Sequence, residues 1–185
     1  MTKAELRKVA KANRAAIVAK LSPAERCAAA ILLSVRVEEL VTAGQTVAAY
    51  LPIGSEIDTL PLLDRLTAKG VRVALPHLEA PKAAMRFLAW EPGAPLPAGP
   101  FGIRQPEANA PEVEPDVVLT PLLAFDAACN RLGYGAGHYD RALPRFPAAQ
   151  RIGLAWDAQR VNQVPVDGWD VALHAVATEK ELICR

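Results

Sequence analysis

The chain has 185 residues, 51% of them hydrophobic, enough to bury one substantial core. Its 21 basic and 20 acidic side chains leave a net charge of +1, which excludes a nucleic-acid binder acting through bulk charge. Cys27, Cys129 and Cys184 are odd in number and lack metal-ligand spacing, so no disulfide framework is expected and a reducing, cytoplasmic setting is.

The N-terminal run Met1–Arg7 is charged and periodic, unlike a signal peptide, and no apolar run has the length of a membrane span. Residues 3–20 predict an amphipathic helix rich in alanine and basic side chains, with Leu6, Val9, Ala10 and Ile17 on its apolar face. Ser22-Pro23-Ala24-Glu25 joins a cap, a first-turn proline and a glutamate at the third position. It starts a second helix reaching about residue 41, and Gly44 breaks the pattern. Thr46–Leu51 reads as a buried strand. Asp58 or Thr59 begins a helix that Lys69-Gly70 ends. Val71–Leu75 is the next strand, stopped by Pro76. Strand, helix and strand with short connections predict parallel pairing. Residues 83–90 read as another strand, and residues 91–115, rich in proline and glycine, as a long ordered surface loop. Asp116–Thr120 is a strand with Pro121 beyond it; Arg151–Ala155 and Val171–Ala177 are late strands. The sum is a single α/β domain over residues 1–185, with an open, mostly parallel sheet flanked by helices. Its N-terminal helices cover about 3–41 and its sheet region about 45–185.

The most informative segment is Arg131-Leu-Gly-Tyr-Gly-Ala-Gly-His-Tyr-Asp-Arg141, preceded by Asn130, with glycines alternating at 133, 135 and 137. Glycine permits unusual backbone angles, and the N–H groups it frees can cradle an anion beside a helix start, here predicted near Gly137. The spacing is not GxGxxG and contains no Walker Gly-Lys-Ser/Thr. The run reads as a phosphate cradle or as a tight structural loop, and its polar flanks favour the cradle. Arg131 is a fork for carboxylate or phosphate, or one half of a surface ion pair. Asp140 offers the hard oxygen that magnesium requires, or a pair for Arg141. Lys3 and Arg7, four apart on one helix face, are solvated surface or reach back to a nucleotide. Glu56 lies in Leu51-Pro-Ile-Gly-Ser-Glu-Ile-Asp-Thr59, between a strand end and a helix start. Open α/β sheets bind ligands there, and Glu56 can accept from donors on a heterocycle. Asp58 reads as a helix cap. Asp170, after Trp169, is a turn residue or a second metal carboxylate. His77, His138 and His174 lack zinc spacing; His138 can donate to a ligand, and His77 reads as a loop residue. Cys129 has no base at a telling position and reads as buried and structural.

Lys3-Ala-Glu-Leu-Arg7, Leu51–Thr59, Phe101-Gly-Ile103, Asn130–Arg141, Pro165-Val166, Trp169-Asp170 and Thr178-Glu179 occur in this order. Together they resemble the 5-formyltetrahydrofolate cyclo-ligase family, also called 5,10-methenyltetrahydrofolate synthetases, over nearly the whole chain. The resemblance implies a fold similar to the sheet domains of sugar-phosphate isomerases and CoA transferases. It also implies an enzyme that uses ATP as co-substrate, with Mg2+, to convert 5-formyltetrahydrofolate, with or without a polyglutamate tail, to 5,10-methenyltetrahydrofolate. By position, Lys3, Arg7 and Arg131 would be the catalytic cations on the ATP phosphates. Leu132, Gly133, Tyr134, Gly135, Ala136, Gly137, His138 and Tyr139 would wrap the nucleotide. Glu56, with Ile53 and Tyr134, would hold the pterin, and Asp140 and Asp170 would serve the magnesium. No nucleic-acid or membrane partner is expected, and the chain would act as a monomer or weak homodimer. It departs from the family at His138, where a second tyrosine is frequent, at Ala136, where glycine or lysine is, and at His174, where an acid is. A non-catalytic nucleotide- or folate-binding regulator and a sugar-phosphate isomerase are the competing readings.

Overall fold

In the computed structural model residues 2–185 are described, Phe101 by its backbone alone; Met1 and the Phe101 side chain lie outside the described residues. Helix α1 (Lys3–Val18) is capped by Thr2 and helix α2 (Pro23–Glu39) by Ser22. In both, the cap hydroxyl accepts from the backbone of the glutamate three residues on, and that glutamate accepts from the cap's N–H. Each such cap contributes about 1 kcal/mol; the one at Ser22 was expected, and the one at Thr2 was not singled out from the sequence. The packed row of α1 is Leu6, Ala10, Arg14 and Val18. Val9 and Ile17, expected on that face, are exposed at 43% and 36%. The contact is one narrow row stepping by four, and a guanidinium occupies its third place.

The remaining elements alternate. Strand β1 (Thr46–Ala48) leads through α3 (Leu60–Ala68) to β2 (Arg72–His77) and β3 (Arg86–Trp90). Strand β4 (Val117–Pro121) is followed by a small hairpin, β5 (Ala124–Phe125) and β6 (Arg131–Leu132), and by α4 (His138–Ala142). Strands β7 (Gln150–Leu154), β8 (Ala175–Ala177) and β9 (Leu182–Cys184) complete the chain. The main sheet runs β3-β2-β1-β4-β7-β8-β9. Its five central strands are parallel, and both edge pairs are antiparallel. This is the expected α/β fold with a mixed, mostly parallel sheet. Among the described residues no helix is long and apolar enough to cross a membrane.

Successive strand residues point to opposite faces. Val47, Val73, Val117 and Leu119 pack with Leu33 and Val37 of α2 and Leu62, Leu63 and Leu66 of α3 on one face. Ala48, Ala74 and Val118 point to the other, against Phe87, Leu143 and Phe146. The small side chains there leave room for the two phenylalanine rings, whose centroids lie 5.6 Å apart.

Several expectations need correction. Strand β1 ends at Ala48, short of Leu51. Pro76 does not stop β2 but lies inside it, opposite Phe87. The Phe87 carbonyl turns outward to accept from Val113, so this is a non-hydrogen-bonded pair. The Pro76 nitrogen therefore points toward β1, past its last paired residue Ala48, and no ladder bond is lost. His77 is a buried strand residue whose Nδ1 lies 2.9 Å from the Pro106 carbonyl. Val171–His174 is not strand; its backbone groups serve Asp140, Arg131, Cys129 and Arg151 instead of a ladder.

Gly153, in the middle of β7, has no positive φ, yet an added Cβ would meet Leu173 Cδ1 at 2.6 Å and Leu122 Cδ2 at 2.7 Å. Gly153→Ala is expected to cost about 1–3 kcal/mol by overpacking. Urea denaturation should show a lower midpoint with an unchanged slope.

Candidate active site

The strand order reverses between β1 and β4: from β1 the chain proceeds to β2 on one side, and β4 lies on the other. Loops leaving the carboxyl ends of such neighbours diverge and open a crevice. A cavity of about 1400 Å3 lies at that place. It brings together the site residues that the resemblance implies, Lys3 and Arg7 of α1, Ile53 and Glu56 after β1, Arg131 to Asp140, and Asp170, and leaves out Asp58, His77, Cys129 and His174.

The glycine-rich run lines the cavity. Gly135 and Gly137 have φ of 102° and 65°, where a side chain would be strained. Arg7 Nε donates to the Gly133 carbonyl at 3.0 Å, and its guanidinium lies so close to Gly135 that an added Cβ would sit 3.4 Å from Cζ. Arg131 is no surface residue: its side chain is 4% exposed and its Nη2 lies 2.5 Å from Asp140 Oδ1. Its Nη1 donates to the Val171 carbonyl. Asp140 thus pairs with Arg131, whereas Arg141 donates to the Ala136 carbonyl at 2.9 Å and lies 3.2 Å from His138 Nδ1. Burial, reinforced by Arg141, holds the His138 imidazole below its ordinary pKa.

Arg131 is presented by the β5–β6 hairpin, and the hairpin is organised by Asp126, which the sequence reading did not single out. Its buried carboxylate accepts from the backbone of Ala128, Asn130 and Val164 and from the Asn130 amide, all at 3.0–3.1 Å. Cys129 closes the turn with φ of 57°. It is fully buried, and desolvation raises its thiol, as expected of a structural cysteine.

Against Tyr134 of the glycine-rich run lies Glu56, its side chain 5% exposed. Its Oε2 accepts from Ile53 N at 2.8 Å, closing a turn in which Glu56 N donates back to the Ile53 carbonyl. Its Oε1 accepts from the Tyr134 hydroxyl and lies 3.9 Å from Arg14 Nη1. Burial raises the Glu56 pKa, and the bonds from Tyr134 and Ile53 and the charge of Arg14 offset only part of that. Burial likewise pushes up the phenols of Tyr50, Tyr134 and Tyr139, with the Glu56 charge adding to it. Arg14 was missed at the sequence level; its signal was a cation standing in the four-residue step of Leu6, Ala10 and Val18.

Across the mouth, Lys3 Nζ pairs with Asp170 and, at 2.7 Å, with Asp167. This ties the start of α1 to the turn before Val171. Burial works against both charges, but the hydrogen bonds between them prevail: Lys3 is raised and Asp170 lowered from their ordinary values. A lowered carboxyl stabilises the fold above its unfolded pKa and loses that contribution as pH falls through its folded pKa. A raised amine does so below its unfolded pKa and loses it as pH rises through the folded one. Both side chains are less than one-fifth exposed. The clip should therefore hold through neutral pH and open in acid below the ordinary aspartate range. Stability curves of wild type and Asp170→Asn are expected to converge there, as read by thermal melting against pH.

Residues 1–179 match the model of the 5-formyltetrahydrofolate cyclo-ligase family. The chain is 38% identical over 149 residues to the 5-formyltetrahydrofolate cyclo-ligase of Escherichia coli, covering 77% of this chain and 82% of that one. It is 41% identical over 150 residues to the 5-formyltetrahydrofolate cyclo-ligase of Mycolicibacterium smegmatis, covering 76% and 77%. The NMR structure of Aquifex aeolicus 5,10-methenyltetrahydrofolate synthetase superposes with a TM-score of 0.81 at 28% identity, over 100% of this chain and 93% of that one. The Mycoplasma pneumoniae 5,10-methenyltetrahydrofolate synthetase has the same fold, with a TM-score of 0.75 at 24% identity over 97% and 99%. With a family model spanning nearly its whole length and the same fold in solved relatives, this chain belongs to the 5-formyltetrahydrofolate cyclo-ligase family of ligases.

Proposed function

We propose that this protein converts 5-formyltetrahydrofolate to 5,10-methenyltetrahydrofolate with ATP and Mg2+, releasing ADP and phosphate. The observation that carries the reading is one cavity lined both by a glycine-rich run with cations beside it and by a buried carboxylate. The first suits a polyphosphate and the second the N–H donors of a pterin.

The chemical difficulty is that a formamide oxygen is a poor leaving group. In the proposed sequence the N5-formyl oxygen attacks the γ-phosphorus of ATP, and the bond from that phosphorus to the bridging oxygen of ADP breaks. The product carries the phosphoryl group on the formyl oxygen, which leaves the formyl carbon electrophilic. N10 then attacks that carbon, the carbon–oxygen bond breaks, inorganic phosphate leaves and N10 loses its proton. The formyl oxygen attacks without first losing a proton, so phosphorylation depends chiefly on positioning and charge stabilisation. Lys3, Arg7 and Arg131 would offset charge on the phosphates, and the backbone around Gly133, Gly135 and Gly137 would approach them closely. Glu56, with Ile53 and Tyr134 beside it, would fix the pterin so that the formyl oxygen faces the nucleotide.

Among the described residues no three histidine, cysteine or carboxylate side chains form a ready metal cage. Mg2+ does not require one, since it commonly takes one or two carboxylates with phosphate oxygens and water. Asp140 and Asp170 suit that role: the described bonds to Asp140 fall on Oδ1 and those to Asp170 on Oδ2, leaving one oxygen of each. Bound there, the ion would neutralise phosphate charge.

The test is absorbance in the methenyl band with all three components and with each omitted in turn. Growth only with all three supports the activity. No signal from folded protein shown to bind both ligands would leave a binding role instead. Asp140→Ala is expected to lower kcat by about 100-fold or more, because it removes a metal donor and strands Arg131. Glu56→Ala should raise KM for the folate and leave KM for ATP nearly unchanged, in the same steady-state assay.

A further inference from the structure

Arg14 lines the cavity as a cation that neither the motif nor the proposed chemistry uses. Its residue is 4% exposed, on the packed row of α1. A buried guanidinium is costly unless its donors are used, and here Nε and Nη1 are. Nε donates to Ser55 Oγ at 3.0 Å, and Nη1 to the Tyr134 hydroxyl at 2.7 Å and the Leu122 carbonyl at 3.4 Å. The Tyr134 hydroxyl accepts from Arg14 and spends its own proton on Glu56 Oε1. The polarity runs one way, from cation through phenol to carboxylate, so each bond strengthens the next. The guanidinium also lies 5.7 Å from the centroid of the Tyr134 ring. Three parts of the chain thereby meet at one side chain: α1, the turn carrying Ser55 and Glu56, and the glycine-rich run carrying Tyr134.

We infer that Arg14 is a positioning residue for the folate: its guanidinium orients Tyr134 and, through Tyr134, holds the Glu56 carboxylate in place as an acceptor. This rests on the proposed reading of Glu56. A lysine at this place would keep the charge, but its single ammonium lacks the fork that serves Ser55 and Tyr134 together. The groups facing Glu56 are Arg14 from α1, Tyr134 from the glycine-rich run, Tyr50 after β1 and Tyr139 from α4. The three phenols are raised, so only Glu56 among them titrates on the acid side.

The experiment measures kcat and KM for each substrate against pH in Arg14→Met, Arg14→Lys, Tyr134→Phe and Glu56→Gln, with circular dichroism confirming the fold. Arg14→Met is expected to raise KM for 5-formyltetrahydrofolate about tenfold or more, leave KM for ATP within about twofold, and move the acid limb of kcat/KM for the folate to higher pH. Arg14→Lys should fall between it and wild type. In a Glu56→Gln background Arg14→Met should add little, which a merely structural arginine would not obey. If Arg14→Met does not fold, Arg14→Lys and Tyr134→Phe carry the same comparison. Should Glu56→Gln leave the folate KM unchanged, the reading of Glu56 falls and the inference with it. Should Glu56→Gln raise that KM while the Arg14 and Tyr134 variants keep wild-type KM and acid limb, the inference alone is overturned.

Discussion

The parallel pairing of β1 with β4, at the point where strand order reverses, is the constraint on which the rest of the structure depends. It separates two loops that would otherwise run side by side, and the crevice between them is the cavity. The turn with Ile53 and Glu56 follows β1; the hairpin, the glycine-rich run and α4 follow β4. On one face of these strands the side chains are small. Ala48 and Ala74 let Phe87 and Phe146 close beneath α4, which holds the end of the glycine-rich run against the sheet.

The second constraint is charge. Lys3 is matched by Asp167 and Asp170, Arg131 by Asp140, and Arg14 by the Tyr134–Glu56 relay. In a cleft of low dielectric an unmatched cation would be costly, so these three are matched within the protein itself, while Arg7 and Arg141 meet backbone carbonyls. On the proposed reading, a polyphosphate would have to share or displace these carboxylates. A divalent cation beside it would compensate both the phosphates and the aspartates. The same economy explains why α1 belongs to the site. Leu6 and Ala10 pack on Leu123, Ala124 and Leu132, which sets Arg7 against the glycines and Arg14 behind Glu56.

Much of this was legible beforehand where the signal is local. The capping box at Ser22 marked the start of α2 because its bonds join residues three apart, whereas α1 was read from its periodicity and its box at Thr2 was not singled out. The start of α4 at Gly137 was legible because a left-handed cap favours glycine. The site residues that the resemblance implies were named from their motifs, and the cavity gathers them. What failed was non-local. Pro76 ends a strand by propensity, yet survives in β2 because the strand beside its nitrogen has already ended. Val171–Ala177 is an apolar run that reads as a strand, but its first half gives its backbone groups to Arg131, Asp140, Cys129 and Arg151. Two-residue β5 and β6 are too short to carry a period, and Asp126, which organises them, resembles any loop aspartate.

The sequence by itself determined the capped helices, the parallel strand-helix-strand order, the backbone freedom at the glycines and the family to which they belong. All of these rest on bonds or steric limits spanning a few residues, or on a motif read in order. Only the tertiary structure decided that Arg131 pairs with Asp140 rather than facing solvent, that Lys3 closes on Asp167 and Asp170, and that Arg14 stands behind Glu56. Those choices join residues from 9 to 167 positions apart. A charged side chain selects its partner by distance and desolvation in three dimensions, and neither is written in the order of the chain.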